Sequence, residues 1–331
     1  MIPKWILAVT SLAILLILFV SSLMIGSSWI SLATVIDYLL HYSTTVKEHI
    51  ILHILRMPRA IAMMLIGANL SIAGCIMQAL TRNPLASPSI FGINAGASFM
   101  IVLCTIILPT VNGLVLAGAG FAGGLITVLI VLIMSLAIRG GKVEVRMALI
   151  GVVIQALLSS FTQGLLIFNE ESASKIIFWL AGSAAGVKWE EIQLLLLFSI
   201  IGFVMAVSLS RSLSLINLGE DIARGLGQKI WTVRIVGSVI VIVLAGISVS
   251  IVGPIGFVGL IVPHMTRYLV GTDYRLVIPF AGVFGAILLT LADIGSRFVN
   301  FPAETPVGII TALIGAPYFV YLARRQSRSS S

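Results

Sequence analysis

Long apolar runs separated by short polar segments occupy almost the whole chain. A helix of about 20 apolar residues can cross the ~30 Å hydrocarbon core of a bilayer while satisfying its own backbone hydrogen bonds. The pattern predicts about ten such helices and an all-α, polytopic membrane protein. We place the spans at Trp5–Ile25, Ala60–Leu80, Ile93–Leu108, Leu114–Ile138, Met147–Phe168, Ile192–Leu209, Thr232–Ser250, Phe257–Leu269, Leu276–Phe298 and Val307–Leu322.

Composition agrees with this reading. Of the 331 residues, 59% are hydrophobic and only 10% are charged, whereas a soluble protein carries about 25% charged residues. We therefore treat residues 1–331 as one transmembrane domain. The polar stretch 326–331 at its end is predicted to be a short disordered tail.

One polar connection stands out. Leu218–Gly227 reads LGEDIARGLG and is too short and too charged to enter a bilayer. Its apolar residues Leu218, Ile222, Ala223 and Leu226 recur at helical spacing. A small amphipathic helix of this kind suits binding to a soluble partner, and a solvated linker is the alternative.

The basic residues predict the orientation. One side receives Lys4, Arg82, Arg139, Lys142, Arg146, Arg211, Arg224, Lys229, Arg234, Arg267, Arg275, Arg324, Arg325 and Arg328. The other side receives Lys47, Arg56, Arg59, Lys175, Lys188 and Arg297. By the positive-inside rule, the richer side is cytoplasmic and holds both termini. The net charge of +8 is thus a topology signal and does not indicate a nucleic-acid partner.

Motifs for chemistry are few. The chain contains no GxxxxGK[ST] phosphate-binding loop and no HExxH metal motif. Cys75 and Cys104 lack metal-site spacing and are interpreted as packing residues. We predict no catalytic residues, no metal and no directly bound cofactor. An enzyme acting within the membrane has no direct support from the residues.

Glycines carry more information about packing. Gly-xxx-Gly pairs place small residues on one helix face, where helices approach closely in lipid. They occur at Gly92 and Gly96, Gly120 and Gly124, and Gly182 and Gly186. Gly253-Pro254 and Gly256 interrupt an otherwise continuous apolar run. Such a break at membrane depth is stable only inside protein or along a cavity.

Three sequence blocks resemble a known family. The first joins Arg56-Met-Pro-Arg59 to Arg82-Asn-Pro-Leu-Ala-Ser-Pro88, the second joins Leu218–Gly227 to GPIGFVGLIVPH at 253–264, and the third is Pro302-Ala-Glu-Thr-Pro306 with Gly315-Ala-Pro317. In this order they resemble the FecCD-type permeases over nearly the whole chain. Those proteins are membrane subunits of ABC importers for ferric siderophores, haem and cobalamin.

The resemblance implies partners. It implies ten helices per subunit, a second permease subunit (the same or a similar chain), two cytoplasmic ATPases and an external substrate-binding protein. ATP would be used by the partner ATPase, and the chain would lie in the bacterial cell membrane among lipid. Ferric siderophore is the expected cargo, with haem and cobalamin as alternatives.

The resemblance also assigns residues. By resemblance, Arg56, Arg59 and Arg297 would lie on the external face and bind acidic residues of the binding protein. The alternative is that these arginines only anchor helix ends at the membrane interface. Four acids in the external region Asn169–Glu191 would oppose such docking. The coupling segment, about 211–231, would contact the ATPase through Leu218, Gly219, Glu220, Asp221, Ile222, Ala223, Arg224, Leu226 and Gly227.

A pathway is expected as well. By resemblance, Asn83 and Leu85 form a cytoplasmic gate, although an ordinary turn at Pro84 is an equal alternative. Gln155, Ser159 and Gln163 fall on one helix face and are predicted to line the pathway or to bond between helices. From another functional class, a secondary transporter would need an intramembrane carboxylate, for which Asp293 is the main candidate.

Overall fold

The computed structural model describes residues 3–108, 110–138, 143–169, 176–301 and 303–329, and all regular structure within them is helical. The main helices are α1 (Lys4–Met24), α2 (Leu32–Leu40), α3 (Lys47–Ile51), α4 (Met57–Thr81), α5 (Ile93–Ile107), α6 (Gly113–Ala137), α7 (Val143–Ile167), α8 (Trp189–Leu218), α9 (Glu220–Gly225), α10 (Ile230–Val252), α11 (Val258–Val270), α12 (Tyr274–Val299) and α13 (Val307–Ser329). A π-helical turn, Leu52–Arg56, joins α3 to α4, and a 3₁₀ turn, Pro88–Phe91, precedes α5.

The all-helical, polytopic prediction is confirmed. Within the described residues, seven helices are long and apolar enough to cross a membrane: α1, the continuous unit Lys47–Thr81, α6, residues Val145–Ile167 of α7, α8, α10 and α12. The other three predicted spans are helical too, but α11 is short and the apolar stretches Ile93–Ile107 and Val307–Leu322 are shorter than a full span.

Helix α4 is the centre of the bundle. Of its 25 residues, 20 are buried, and it packs against α8, α10, α11 and α12. Small and aliphatic residues make this possible, and the few polar side chains find partners. The amide Nδ2 of Asn69, for example, donates to Oγ of Ser199 at 2.8 Å. Because α4 contacts these four helices, it fixes their positions in the bundle.

Glycines set the closest helix crossings. Gly67 of α4 meets the backbone of Gly285 in α12, and Gly74 of α4 meets that of Gly259 in α11. Gly96 lies against Gly123 in α6, which confirms the expected close packing at that position. The prediction for Gly182 and Gly186 was wrong. Both have positive φ, 80° and 87°, and belong to turns rather than to one helix face.

The predicted break in the apolar run is present. Helix α10 ends at Val252 and α11 begins at Val258, with positive φ at Gly253 (79°) and Phe257 (68°). Neighbouring loops cover the exposed backbone, because the amide of Ser183 donates to the carbonyl of Val252 at 2.8 Å. Gly253 and Ile255 of the break are buried, whereas Gly256 is exposed, so protein covers the break in part, as a polar backbone at membrane depth requires.

The bundle has two distinct ends. The arginine end contains Arg56, Arg59 and Arg297, where α1 and α12 finish and α4 begins. The short-helix end contains α9, where α4 and α8 finish and α12 begins. Helix α13 continues to Ser329, so residues 326–329 are helical and not part of the expected disordered tail. No glycine or proline after Pro317 ends that helix.

The α4–α12 crossing gives a stability prediction. A Cβ atom at Gly285 would overlap the carbonyl oxygen of Gly67 and the hydroxyl of Ser71, whereas a Cβ at Gly295 of the same helix would meet nothing within 4 Å. We expect Gly285→Ala to lower the free energy of unfolding by about 1–3 kcal/mol. Gly295→Ala, the matched control, should raise it slightly through helix propensity. Thermal unfolding in detergent measures both, and equal effects would contradict this packing.

Candidate functional site

The arginine end contains a buried charge cluster. Asp293 in α12 has no exposed surface. Its Oδ1 accepts from Nε of Arg59 at 2.8 Å, and its Oδ2 accepts from Nη2 of Arg297. Nη1 of Arg59 also donates to Oε2 of Glu304 at 2.5 Å. A buried carboxylate stays charged at acceptable cost only when such partners surround it.

The same cluster holds the end of α1. Nη1 of Arg297 donates to the carbonyls of Ser22 and Ile25 at 2.7 and 2.5 Å. Nη1 of Arg56 donates to those of Leu23 and Met24 at 2.7 and 2.8 Å. The last carbonyls of a helix lack partners within it and attract cations. The arginines therefore cap α1 and tie it to α4 and α12.

These contacts give the three arginines that were predicted to dock the binding protein an internal role. Arg56, Arg59 and Arg297 are only 6%, 9% and 6% exposed, and each already bonds to groups of its own chain. Their role in docking stays a prediction, and the structure adds an internal role that sequence reasoning missed. The spacing of Asp293 and Arg297, four residues apart on one helix, was the available signal.

The short-helix end presents an apolar row. Leu218, Ile222 and Leu226 are 65%, 54% and 64% exposed around the six-residue helix α9. Gly219 and Gly227 flank it with φ of 134° and 79°, conformations that favour glycine. Exposed apolar side chains grouped beside charged ones are typical of a protein-binding surface.

Ala223 has a different position from the one expected. The family resemblance places it among the residues that would contact the ATPase. It is fully buried within the hydrophobic core of its own chain, and its amide donates to the carbonyl of Gly219 at 2.9 Å. The small side chain thus lets α9 lie against α8 and α10.

The predicted gate residues lie in a turn after α4. Arg82 ends α4 in the left-handed conformation with φ of 50°, and Oδ1 of Asn83 accepts from the amide of Leu85 at 2.9 Å. Asn83 is exposed and Leu85 is half-buried. Asn83 therefore shapes the turn locally, which is a role that the helix-terminating interpretation of Pro84 also anticipated.

The polar face of α7 is largely uncovered. Gln155 and Gln163 are exposed and Ser159 is half-buried, so the described part of the chain leaves this face largely open. Several residues used in the sequence predictions lie outside the described residues. They are Arg139, Lys142 and Lys175 from the predicted orientation, Glu170 and Glu171 from the external acids, and Pro302 from the third sequence block. Glu191 is described and accepts from the amide of Lys188 at 3.1 Å, which caps α8.

Comparisons with known proteins match this architecture. The FecCD transport family matches residues 14–325. The chain belongs to the FecCD transport family. The iron(3+)-hydroxamate import system permease protein FhuB of Bacillus subtilis (strain 168) is 44% identical over 93% of this chain and 80% of that relative. The Fe(3+)-citrate import system permease protein YfmD of the same organism is 45% identical over 92% and 90%.

A solved structure agrees with the family assignment. A metal-chelate type ABC transporter in an inward-facing conformation superposes with a TM-score of 0.82, at 30% identity, over 96% of this chain and 98% of that one. This FecCD family member is thus a permease subunit of an ABC importer and not an enzyme. It is a protein of the bacterial inner membrane, and an importer of this type implies an ATPase and a substrate-binding partner.

The charge cluster yields a second prediction. Asp293→Asn would leave two buried guanidinium groups without their shared carboxylate, and we expect a loss of about 3–5 kcal/mol in the free energy of unfolding. Glu304→Gln is the matched control, because the Glu304 side chain is 38% exposed and its pair should contribute about 1 kcal/mol or less. Denaturant unfolding in detergent compares the two variants. A loss no larger for Asp293→Asn than for the control would refute the central role of this carboxylate.

Proposed function

We propose that this permease moves ferric siderophore complexes, such as Fe³⁺ bound by hydroxamate or citrate ligands, into the cytoplasm. The proposal rests on the iron(3+)-hydroxamate and Fe(3+)-citrate import systems to which the two Bacillus subtilis relatives belong and on similarity to a metal-chelate type transporter. Haem and cobalamin are the alternatives within the family. All ten predicted helices would cross the membrane, α5, α11 and α13 with shorter apolar stretches than the rest.

Both termini would be cytoplasmic. The short-helix end is where α1 begins and α13 finishes, and the sequence places most Lys and Arg residues on that side. The arginine end would then face outward, towards a binding protein. No cofactor would bind to this chain, and ATP would be hydrolysed in the partner subunit.

The exposed apolar row of α9 is the observation that supports coupling to a separate ATPase. Leu218, Ile222 and Leu226 would enter a groove on the ATPase, and Glu220, Asp221 and Arg224 would form the polar rim. Because Ala223 is buried in the permease core, α9 is attached to α8 and α10 at close range. Movement of the ATPase would therefore pass directly to the membrane helices.

The pathway would lie along α7 between two permease subunits. Gln155, Ser159 and Gln163 form a face that this chain leaves mostly uncovered, and a second copy or a similar chain would cover the remaining apolar surface of α7. A lining of amides and hydroxyls would contact a chelate without trapping it. Asn83 and Leu85, at the cytoplasmic end of α4, would narrow the exit.

Docking of the binding protein on Arg59 would require this arginine to exchange one carboxylate partner for another. Arg59 pairs with a partly exposed carboxylate, since the Glu304 side chain lies at the protein surface. An acid of the binding protein would take the place of Glu304 on Arg59, while Arg56 and Arg297 would maintain the shape of the docking face. The internal carboxylate thus competes with the external one.

A secondary transporter is the weaker candidate. Its coupling site would need a carboxylate that binds and releases an ion, and Asp293 is the main candidate in the sequence. Both oxygens of Asp293 are paired with guanidinium groups. A carboxylate held in this way is a fixed structural anion, which favours an external source of energy.

Substitution within α9 tests the coupling role. Ile222→Asp should leave the permease inserted and its melting temperature nearly unchanged, because Ile222 is 54% exposed. It should weaken ATPase association by at least about tenfold, since an apolar contact is replaced by a buried charge. Thr44→Asp serves as the control, because it adds the same charge at an exposed residue near the arginine end, away from α9. Normal ATPase association and iron uptake in Ile222→Asp would defeat the assignment.

Removal of the competing carboxylate tests docking. Glu304→Gln frees the Nη1 side of Arg59, so we expect the binding protein to associate several-fold more tightly, with a steeper dependence on salt. Affinity for the reconstituted permease can be measured at two ionic strengths. Weaker or unchanged binding would mean that Arg59 serves only the internal cluster.

A further inference from the structure

A polar cavity of about 230 Å³ lies at the short-helix end, beside the coupling segment. Its wall contains two guanidinium groups and no carboxylate. The lining residues are Gln78, Arg82, Pro84, Asn217, Arg267 and Tyr274. They come from the end of α4, the turn that follows it, the end of α8, α11 and the start of α12, so the cavity joins the elements that carry the proposed gate and coupling surface.

The guanidinium group of Arg267 is fixed by a hydrogen bond, but one of its nitrogens lacks an acceptor among the described residues. Its Nη2 donates to Oε1 of Gln78 at 2.6 Å, and Nε2 of Gln78 points to the carbonyl of Leu260 at 3.3 Å. Nη1 of Arg267 is buried and has no hydrogen-bond partner among the residues that the structure describes. A buried donor without an acceptor is costly, and guanidinium groups prefer carboxylate or phosphate oxygens. The cavity therefore has the chemistry of an oxyanion site.

The acids nearest in sequence do not fill it. Asp273 precedes Tyr274 but accepts from the amide of Arg275 at 3.0 Å and lies 3.7 Å from its Nε. Asp221 is exposed on α9 and is not part of the cavity wall. Among the described acids near the cavity, none pairs with Arg82 or Arg267, and their positive charge can attract a group from outside the chain.

Size and position favour one kind of occupant. Sites that enclose a small molecule measure roughly 300–1,000 Å³, so this cavity suits a single side chain better than a nucleotide or a chelate. Asn217 lines it and is followed directly by Leu218, the first exposed apolar residue of the coupling surface. A partner seated on α9 would cover the cavity.

We propose that an aspartate or glutamate side chain of the ATPase subunit enters this cavity and bonds to Arg82 and Arg267 when the ATPase docks on α9. This inference rests on the proposed function and adds a second, charged anchor next to the apolar one. Because Arg82 follows α4 immediately and precedes Asn83, the anchor would connect the ATPase to the central helix and the gate turn.

The test measures affinity between the reconstituted permease and its ATPase at low and high salt. Arg82→Gln and Arg267→Gln should each weaken association by about tenfold and reduce its salt dependence. Arg275→Gln, on an exposed arginine at the same end that does not line the cavity, should leave both unchanged. In an Arg82→Glu background, replacing the correct ATPase acid by lysine should restore association.

Arg82→Gln is the decisive variant for this inference. Arg82 is exposed, so its replacement should not affect folding, whereas Arg267→Gln changes a more enclosed side chain. Unchanged affinity in Arg82→Gln, with weakened affinity in Ile222→Asp, would overturn this inference and leave the proposed function intact. The inference would also be overturned if inorganic phosphate, or phosphatidylglycerol in place of phosphatidylcholine, stabilised the isolated permease through Arg82 while ATPase affinity stayed the same.

Discussion

The buried carboxylate of Asp293 is the constraint on which the arrangement of the arginine end of the bundle depends. Removing a charge from water is expensive unless partners surround it, and here Arg59 of α4 and Arg297 of α12 supply them. Those arginines, together with Arg56, also satisfy the last carbonyls of α1. One carboxylate therefore determines how three helices meet, and the glycine contacts of α4 with α12 continue the same close packing along the bundle.

The two ends of the molecule consequently differ in character. At the arginine end, the carboxylate of Asp293 is paired with two arginines and the end of α1 is capped. At the short-helix end, apolar side chains of α9 are exposed. A closed end and an end with an exposed apolar surface suit a subunit that receives force from another protein. The break between α10 and α11 lies between well-ordered helices and offers a place where the chain can bend.

Much of this could be predicted from the sequence, for physical reasons. Each of the ten predicted spans coincides with a helix, and Gly253-Pro254 located the break, because both signals are local. Helices α2 and α3 lie outside the predicted spans. The surface row of α9 followed from its helical spacing. What sequence could not supply was contact between distant residues. Arg59 and Asp293 are 234 positions apart, and the burial of Ala223 depends on how α9 folds back onto α8 and α10.

We expect transport by this permease to be driven by nucleotide hydrolysis in a partner chain and not by an ion-coupling site of its own. Uptake of a radiolabelled ferric hydroxamate into proteoliposomes that contain the complete importer tests it most directly. Uptake should stop when the nucleotide site of the ATPase is disabled and should continue when proton and sodium gradients are collapsed by ionophores. Uptake that persists without hydrolysis and stops with the gradients would contradict the account.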